Sequence, residues 1–202
     1  MAGKTVNPTR MELTRLKGRL KTARRGHKLL KDKRDELMKQ FMDVVRRNRA
    51  LRAKVEQGLK EANAAFTVAA ALMGPEVLEE ALSCPRRSVS LEVSTRNIMS
   101  VNVPVFTFQT DSGDDALLPY GFAQTSGELD AALEKMQAVF ADMLELAQVE
   151  KTMQLLAQDI EKTRRRVNAL EYVMIPETEQ NIRYITMKVK EMVLQDAHHY
   201  QP

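Results

Sequence analysis

The chain of 202 residues is long enough for one sizeable domain, yet 5% of it is aromatic, Trp is absent and 29% is charged, a composition of long exposed helices rather than of a packed sphere. A lone Cys84 excludes an internal disulfide, the three histidines lack metal-ligand spacing and no long uncharged apolar run occurs, so a disulfide scaffold, a metal centre, an exported leader and a membrane span are not expected. The net charge of +4 hides an asymmetry: residues 1–60 hold 19 Lys/Arg against 6 Asp/Glu, residues 61–130 hold 3 against 10, and residues 131–202 hold 9 against 11, which suits a protein meeting different partners along its length.

From the start of the chain, Asn7-Pro8-Thr9 offers a helix cap with proline tolerated in the first turn, and no further proline appears until Pro75. Alternating steps of three and four from Leu13 give Leu13, Leu16, Leu20, Ala23, His27, Leu30, Arg34, Leu37, Phe41, Val44, Asn48, Leu51, Val55, Gly58 and Ala62, of which eleven are apolar. That period of about 3.5 residues predicts a first coiled-coil arm over residues 1–67. His27, Arg34 and Asn48 interrupt its seam and are expected to set register. Lys17, Lys21, Arg24, Lys28 and Lys31 each follow a seam position by one residue, so they form a basic stripe beside it.

Residues 68–126 change pattern. Leu72, Val77, Leu78, Ala81 and Leu82 read as a short helix, and two runs follow in which Val89, Leu91 and Val93, then Val101, Val103 and Val105, alternate with other residues. They predict a β-hairpin joined at about Thr95 to Ser100 that must lie on a support. Turn residues mark Gly74-Pro75, Cys84-Pro85, Ser112-Gly113 and Pro119-Tyr120-Gly121.

The second arm, residues 127–202, carries Leu129, Leu133, Met136, Phe140, Met143 and Ala147, then, after a three-residue slip near Glu150, Met153, Leu156, Ile160, Val167, Leu170 and Met174. Pro176 predicts a kink rather than an end, because Ile182, Ile185, Val189 and Met192 resume the stripe. The fold class is therefore mainly α: a long antiparallel two-helix coiled coil with a small middle segment of short helix plus β-hairpin. Antiparallel pairing sets residue numbers that sum to about 193 against each other, placing Gly18 opposite Pro176 as a close approach or helix kink, with a packing compromise favoured over a bending point, and arms of about 57 and 65 residues give a rod of the order of 85–100 Å. Arg164, Arg165 and Arg166 come level with the stripe, and with Arg24, Arg25, Lys28 and Lys31 they form a positive belt.

Two stretches carry a family resemblance. Asn7-Pro8-Thr9-Arg10-Met11-Glu12-Leu13, continuing through Leu16-Lys17 and the run from Arg24 to Leu37, is one; the run from Glu161 through Arg164-Arg165-Arg166 to Tyr172, followed by Ile175-Pro176, is the other. With Asn97-Ile98-Met99-Ser100-Val101 and Val103-Pro104 between them, nearly the whole chain resembles the D subunit of the prokaryotic V-type/A-type rotary ATPases. The family continues in a charged helical extension where this sequence ends after Lys190 to Tyr200.

The resemblance implies a non-catalytic central-stalk rotor shaft without cofactor, transmitting torque between ATP hydrolysis or synthesis and proton or sodium translocation. It implies catalytic A and non-catalytic B subunits around the two termini, a small F subunit on the lower part, and a funnel-like membrane-sector subunit at the base. The expected location is cytoplasmic, at the inner face of the cell membrane through the complex. The belt is then expected to face acidic loops of the A and B subunits. No phosphate-binding glycine loop or Ser, His and Asp arrangement argues for catalysis. The competing readings are a nucleic-acid-binding coiled coil, suggested by the basic first arm but lacking a recognition module or stacking aromatics, and a membrane-surface scaffold, for which the arm lacks Trp and Tyr.

Overall fold

Thr9 opens the first helix through its hydroxyl, which accepts the Glu12 N–H at 3.2 Å and so occupies one of the donors that a helix start leaves without a partner. Helix α1 then runs unbroken over Arg10–Met73. It stops at Gly74, whose φ of 81° and ψ of 153° lie in a region open in practice to glycine alone. Pro75 begins α2 (Pro75–Leu82), at a position where no N–H is needed. Strands β1 (Val89–Ile98) and β2 (Val101–Thr110) follow, then α3 (Gly127–Ala169), a π-helical turn over Leu170–Met174, and α4 (Ile175–His199).

The computed structural model describes residues 7–83, 88–110, 120–121 and 125–199, the side chains of 110 and 196–199 excepted. The expectations placed on Cys84-Pro85, on Ser112-Gly113 and on the side chains of His198 and His199 lie outside these residues. The protein is mainly helical, with a long helical hairpin region and a short helix and two-stranded antiparallel sheet in the middle of the chain, as the heptad pattern and the alternating valines imply.

Two compact units divide the chain: Met1–Met38 with Gln158–Pro202, and Lys39–Ala157. In the first, Leu16, Ala23, Leu37, Ile160, Val167 and Ile185 are buried. Lys33 pairs with Asp159 at 3.3 Å, His27 with Glu171 at 3.3 Å and Arg24 with Glu179 at 2.7 Å, the falling order expected of antiparallel helices. Lys33 pairs within about one residue of the position that the simple register assigns to it, but Arg24 joins Glu179 about ten residues beyond. The offset is already about five residues at His27–Glu171, at the start of the π turn, and the long Arg and Glu side chains supply further reach at Arg24–Glu179. The stretch facing Pro176 is thus bracketed by Arg24 and His27 rather than centred on Gly18.

Pro176 explains the π turn in physical terms. A proline inside a helix lacks a donor and presses on the carbonyl four residues back, here Tyr172. Widening the turn relieves that pressure: the Ile175 N–H donates to the Leu170 carbonyl, five residues back, and the Thr178 hydroxyl donates to the Met174 carbonyl at 2.6 Å.

The second unit packs small residues. Ala62, Ala69 and Ala132 are fully buried, as is Leu129, and a Cβ placed on Gly58 would overlap a Val139 methyl. Arg47 pairs with Glu145, and Lys54 with Asp142 at 2.8 Å. The buried positions Ala132 and Val139, and again Val149, Leu156 and Thr163, step by seven, with ten residues between Val139 and Val149: this is the three-residue phase slip of the second arm. On that arm the seam takes Ala132 and Val139 where the pattern suggested Leu133 and Phe140, because the close approach at Gly58 leaves room only for the smaller neighbour. Phe140 and Met143 are exposed instead.

The hairpin pairs Ile98 with Val101 and Val89 with Thr110 without a bulge. Its turn is Met99-Ser100, both at positive φ (51° and 73°), the geometry that matches strand twist in a two-residue loop. Neither residue is glycine, and Asn97 steadies the turn by accepting the Ser100 N–H at 3.0 Å and donating to Asn102 at 2.8 Å. Val101 and Val103 are buried, and the Phe106 N–H donates to the Gln148 side chain on α3 at 2.9 Å, which supplies the support that an isolated hairpin needs.

Candidate interaction surface

The seam of α1 leaves its flanks to solvent, and there the basic stripe stands. Arg25, Lys28 and Lys31 are exposed, as are Lys17 and Lys21, and none of the five has an ion pair among the described residues. Arg24 differs, since its guanidinium is committed to Glu179. On α3, Arg164 and Arg166 are exposed without an ion pair among the described residues, while Arg165 pairs with Glu161 one turn earlier. The pairs Lys33–Asp159 and His27–Glu171 bracket both groups, so residues 28–31 and 164–166 occupy one level of this unit. The result is a ring of exposed cations unpaired among the described residues, on segments that also carry Asp32 and Glu161.

The register candidates fare differently from one another. His27 is half-buried and holds Glu171, and Arg34 is half-buried and turns to its neighbour Asp35 at 2.8 Å. Asn48 is buried, and its Nδ2 has no hydrogen-bond partner among the described residues. Of the bending candidates, Gly18 faces open space, with nothing within 4 Å of an added Cβ, and Pro176 sits in the first turn of α4 directly after the π turn.

The heptad pattern gives no sign of the apolar surface beside this ring. Leu29 is 69% exposed, Tyr172 71% and Val173 61%, all in the same unit as the cations. Leu29 follows Lys28 off the seam, and the run Tyr172-Val173-Met174 leaves the heptad because the π turn rotates it outward. The one signal of this in the sequence is a cluster of adjacent apolar residues before a proline. In the second unit an open groove of about 470 Å³ lies between the hairpin and α3, lined by Val93, Thr95, Asn102, Pro104, Phe106, Ala147, Lys151 and Leu155.

Near the start of α3, the Tyr120 hydroxyl donates to Asp130 at 2.6 Å; burial, and then this bond, raise the phenol well above its ordinary range. Lys188 is raised by its hydrogen bond to Glu191. No group of three or more His, Cys, Asp or Glu able to hold a metal occurs among the described residues, and no described helix is long and apolar enough to cross a membrane. The surface is thus one of long cationic side chains and exposed apolar ones.

The family model described as the ATP synthase D subunit matches residues 12–198. The chain is 59% identical to the V-type ATP synthase D subunit of Acetivibrio thermocellus, covering 100% of this chain and 97% of that protein. It is 58% identical to the V-type ATP synthase D subunit of Clostridioides difficile, over 95% of this chain and 86% of that one, and 56% identical to its counterpart in Clostridium novyi, over 95% and 89%.

Proposed function

The chain belongs to the family of ATP synthase D subunits, and from that membership we propose that it is the central rotor shaft of a V-type/A-type ATPase, carrying torque between ATP turnover in the hexamer of A and B subunits and ion movement in the membrane ring. On this reading it is a non-catalytic subunit, lies at the inner face of the cell membrane through its complex, and meets a small F subunit and a funnel-like subunit at the lower part of the shaft.

The observation that carries the reading is the ring formed by Lys28, Lys31, Arg164 and Arg166, exposed at one level with Arg25 exposed just beyond it, all without ion pairs among the described residues. Charges left unpaired inside a chain are available to another one. Attraction between this ring and acidic loops of A and B would centre the shaft at many angles, since it varies slowly with orientation compared with interlocked side chains. The apolar surface of Leu29, Tyr172 and Val173 would add contact area that slides without breaking hydrogen bonds.

The test reverses Arg164, Arg165 and Arg166 to Glu and reconstitutes the chain with A, B and F subunits, following rotation of a bead on the middle segment together with ATP turnover. Turnover with impaired rotation, or weakened assembly, is expected. Unchanged assembly and coupling would remove the role given to the ring.

A further inference from the structure

β1 is exposed along nine of its ten residues, and among the described residues its one sheet neighbour is β2. In a two-residue hairpin the pair closing the turn exchanges both hydrogen bonds, and such pairs alternate down the ladder. Ile98 and Val101 close this turn, so Ser90, Glu92, Ser94, Arg96 and Ile98 direct their backbone groups toward β2. Val89, Leu91, Val93, Thr95 and Asn97 direct theirs outward. The other strand agrees: Phe106, facing Val93, sends its N–H away from β1 to Gln148. The outer edge of β2 is engaged there by α3, whereas the outward backbone groups of β1 have no further backbone partner among the described residues.

We propose that this free edge pairs with the same edge of a second copy of the chain, antiparallel about a two-fold axis at Ser94. The backbone allows only registers that set outward residues against outward residues, which restricts the axis to single residue positions. With the axis at Ser94, Glu92 faces the partner's Arg96 and Arg96 faces the partner's Glu92. Moving the axis to Val93 sets Glu92 against the partner's Ser94, and moving it to Thr95 sets Glu92 against the partner's Ile98. Glu92 and Arg96 are both exposed and neither has an ion pair among the described residues. They fall at the non-hydrogen-bonded sites of the new ladder, where facing side chains lie closest. On the opposite face Val93 meets the partner's Thr95 and lies diagonal to the partner's Val93, extending an apolar surface that already holds Leu91, Phe106 and Phe108.

The interface is self-complementary and closed, and it removes the open strand edge that otherwise invites unlimited strand addition. A shaft on the axis of a complex is a single copy, so the paired form belongs to the chain before assembly. The inference rests on the hairpin alone and stands or falls apart from the rotor reading.

The test measures the mass of the full chain in solution at rising concentration. Twice the chain mass is expected, and E92R or R96E alone should weaken dimerisation roughly tenfold or more, since each turns two attractions into two repulsions. The swap E92R/R96E restores both pairs and should restore the dimer. In a C84S background, S94C should cross-link to its copy under oxidation and S90C should not. Helical circular dichroism confirms that each variant folds. A monomer at every concentration, a dimer indifferent to the single reversals, or a swap as weak as either single variant overturns the proposal.

Discussion

Replacing Gly58 by Ala sets two known effects against each other at one atom. Gly58 lies inside α1, where alanine is favoured over glycine by about 1 kcal/mol through helix propensity. The new methyl would overlap Val139, a buried side chain on α3, and overpacking of this kind costs about 1–3 kcal/mol. The net expectation is a loss of about 1 kcal/mol. V139A alone should cost about 2 kcal/mol by removing buried methyls, but it clears the space that the alanine needs. In the V139A background G58A should therefore gain its full propensity, giving a coupling of about 2 kcal/mol between the two sites. G18A is the control: it lies in the same helix with nothing within 4 Å, and should stabilise by about 0.5–1 kcal/mol. Urea unfolding followed by helical circular dichroism reads all four variants. If G58A stabilised as much as G18A, or if G58A and V139A were additive, the close approach of the helices at this level would be refuted.

Asn48→Leu should raise the urea midpoint by the equivalent of about 1–2 kcal/mol, because it removes a buried amide nitrogen with no partner among the described residues; a lower midpoint would show that the amide is satisfied. Tyr120→Phe should cost about 1 kcal/mol at neutral pH by deleting the bond to Asp130. The raised phenol makes its contribution fully present below its ordinary pKa of about 10 and lost as pH rises beyond it, so thermal unfolding of the parent should weaken more steeply above that pH than that of Tyr120→Phe. Reversing Arg166 to Glu should weaken assembly with A and B more than reversing Arg165, which already has Glu161 as an intrachain partner; equal effects in a pull-down at graded salt would argue against selection by free charge.

How much of this was legible in the sequence differs between the two arms. All fifteen seam positions read along the first arm, from Leu13 to Ala62, are buried or half-buried, because one long helix facing one partner keeps a single period. On the second arm the phase slip was visible, yet the seam passed to Ala132 and Val139 where adjacent Leu133 and Phe140 looked stronger. Hydrophobicity ranks side chains by size, while a close helix crossing selects against it, and that crossing depends on Gly58 far away in sequence. The hairpin was legible from alternation, but its turn was read across Thr95 to Ser100, since Met99-Ser100 carries none of the usual residues for positive φ. The π turn left no period to find. The basic belt was plain, whereas the division of its members into paired Arg24 and, among the described residues, unpaired Arg25, Lys28 and Lys31 required the three-dimensional neighbours.

That division bears on what the charges are for. Cross-helix pairs such as Arg24–Glu179, with its guanidinium side chain 63% exposed, contribute little to stability, about 0–1 kcal/mol each and less with added salt. The buried seam holds the helices together in each unit, and the ion pairs bias which register that seam adopts. A helix pair whose stability does not depend on its surface charge can leave other cations at the same level unpaired without loosening. Salt should then separate the two roles: raising ionic strength should leave the unfolding midpoint of the isolated chain nearly unchanged while weakening its binding to acidic partners. A midpoint falling in step with that binding would mean that the same charges hold the fold, and the ring could not be reserved for a partner.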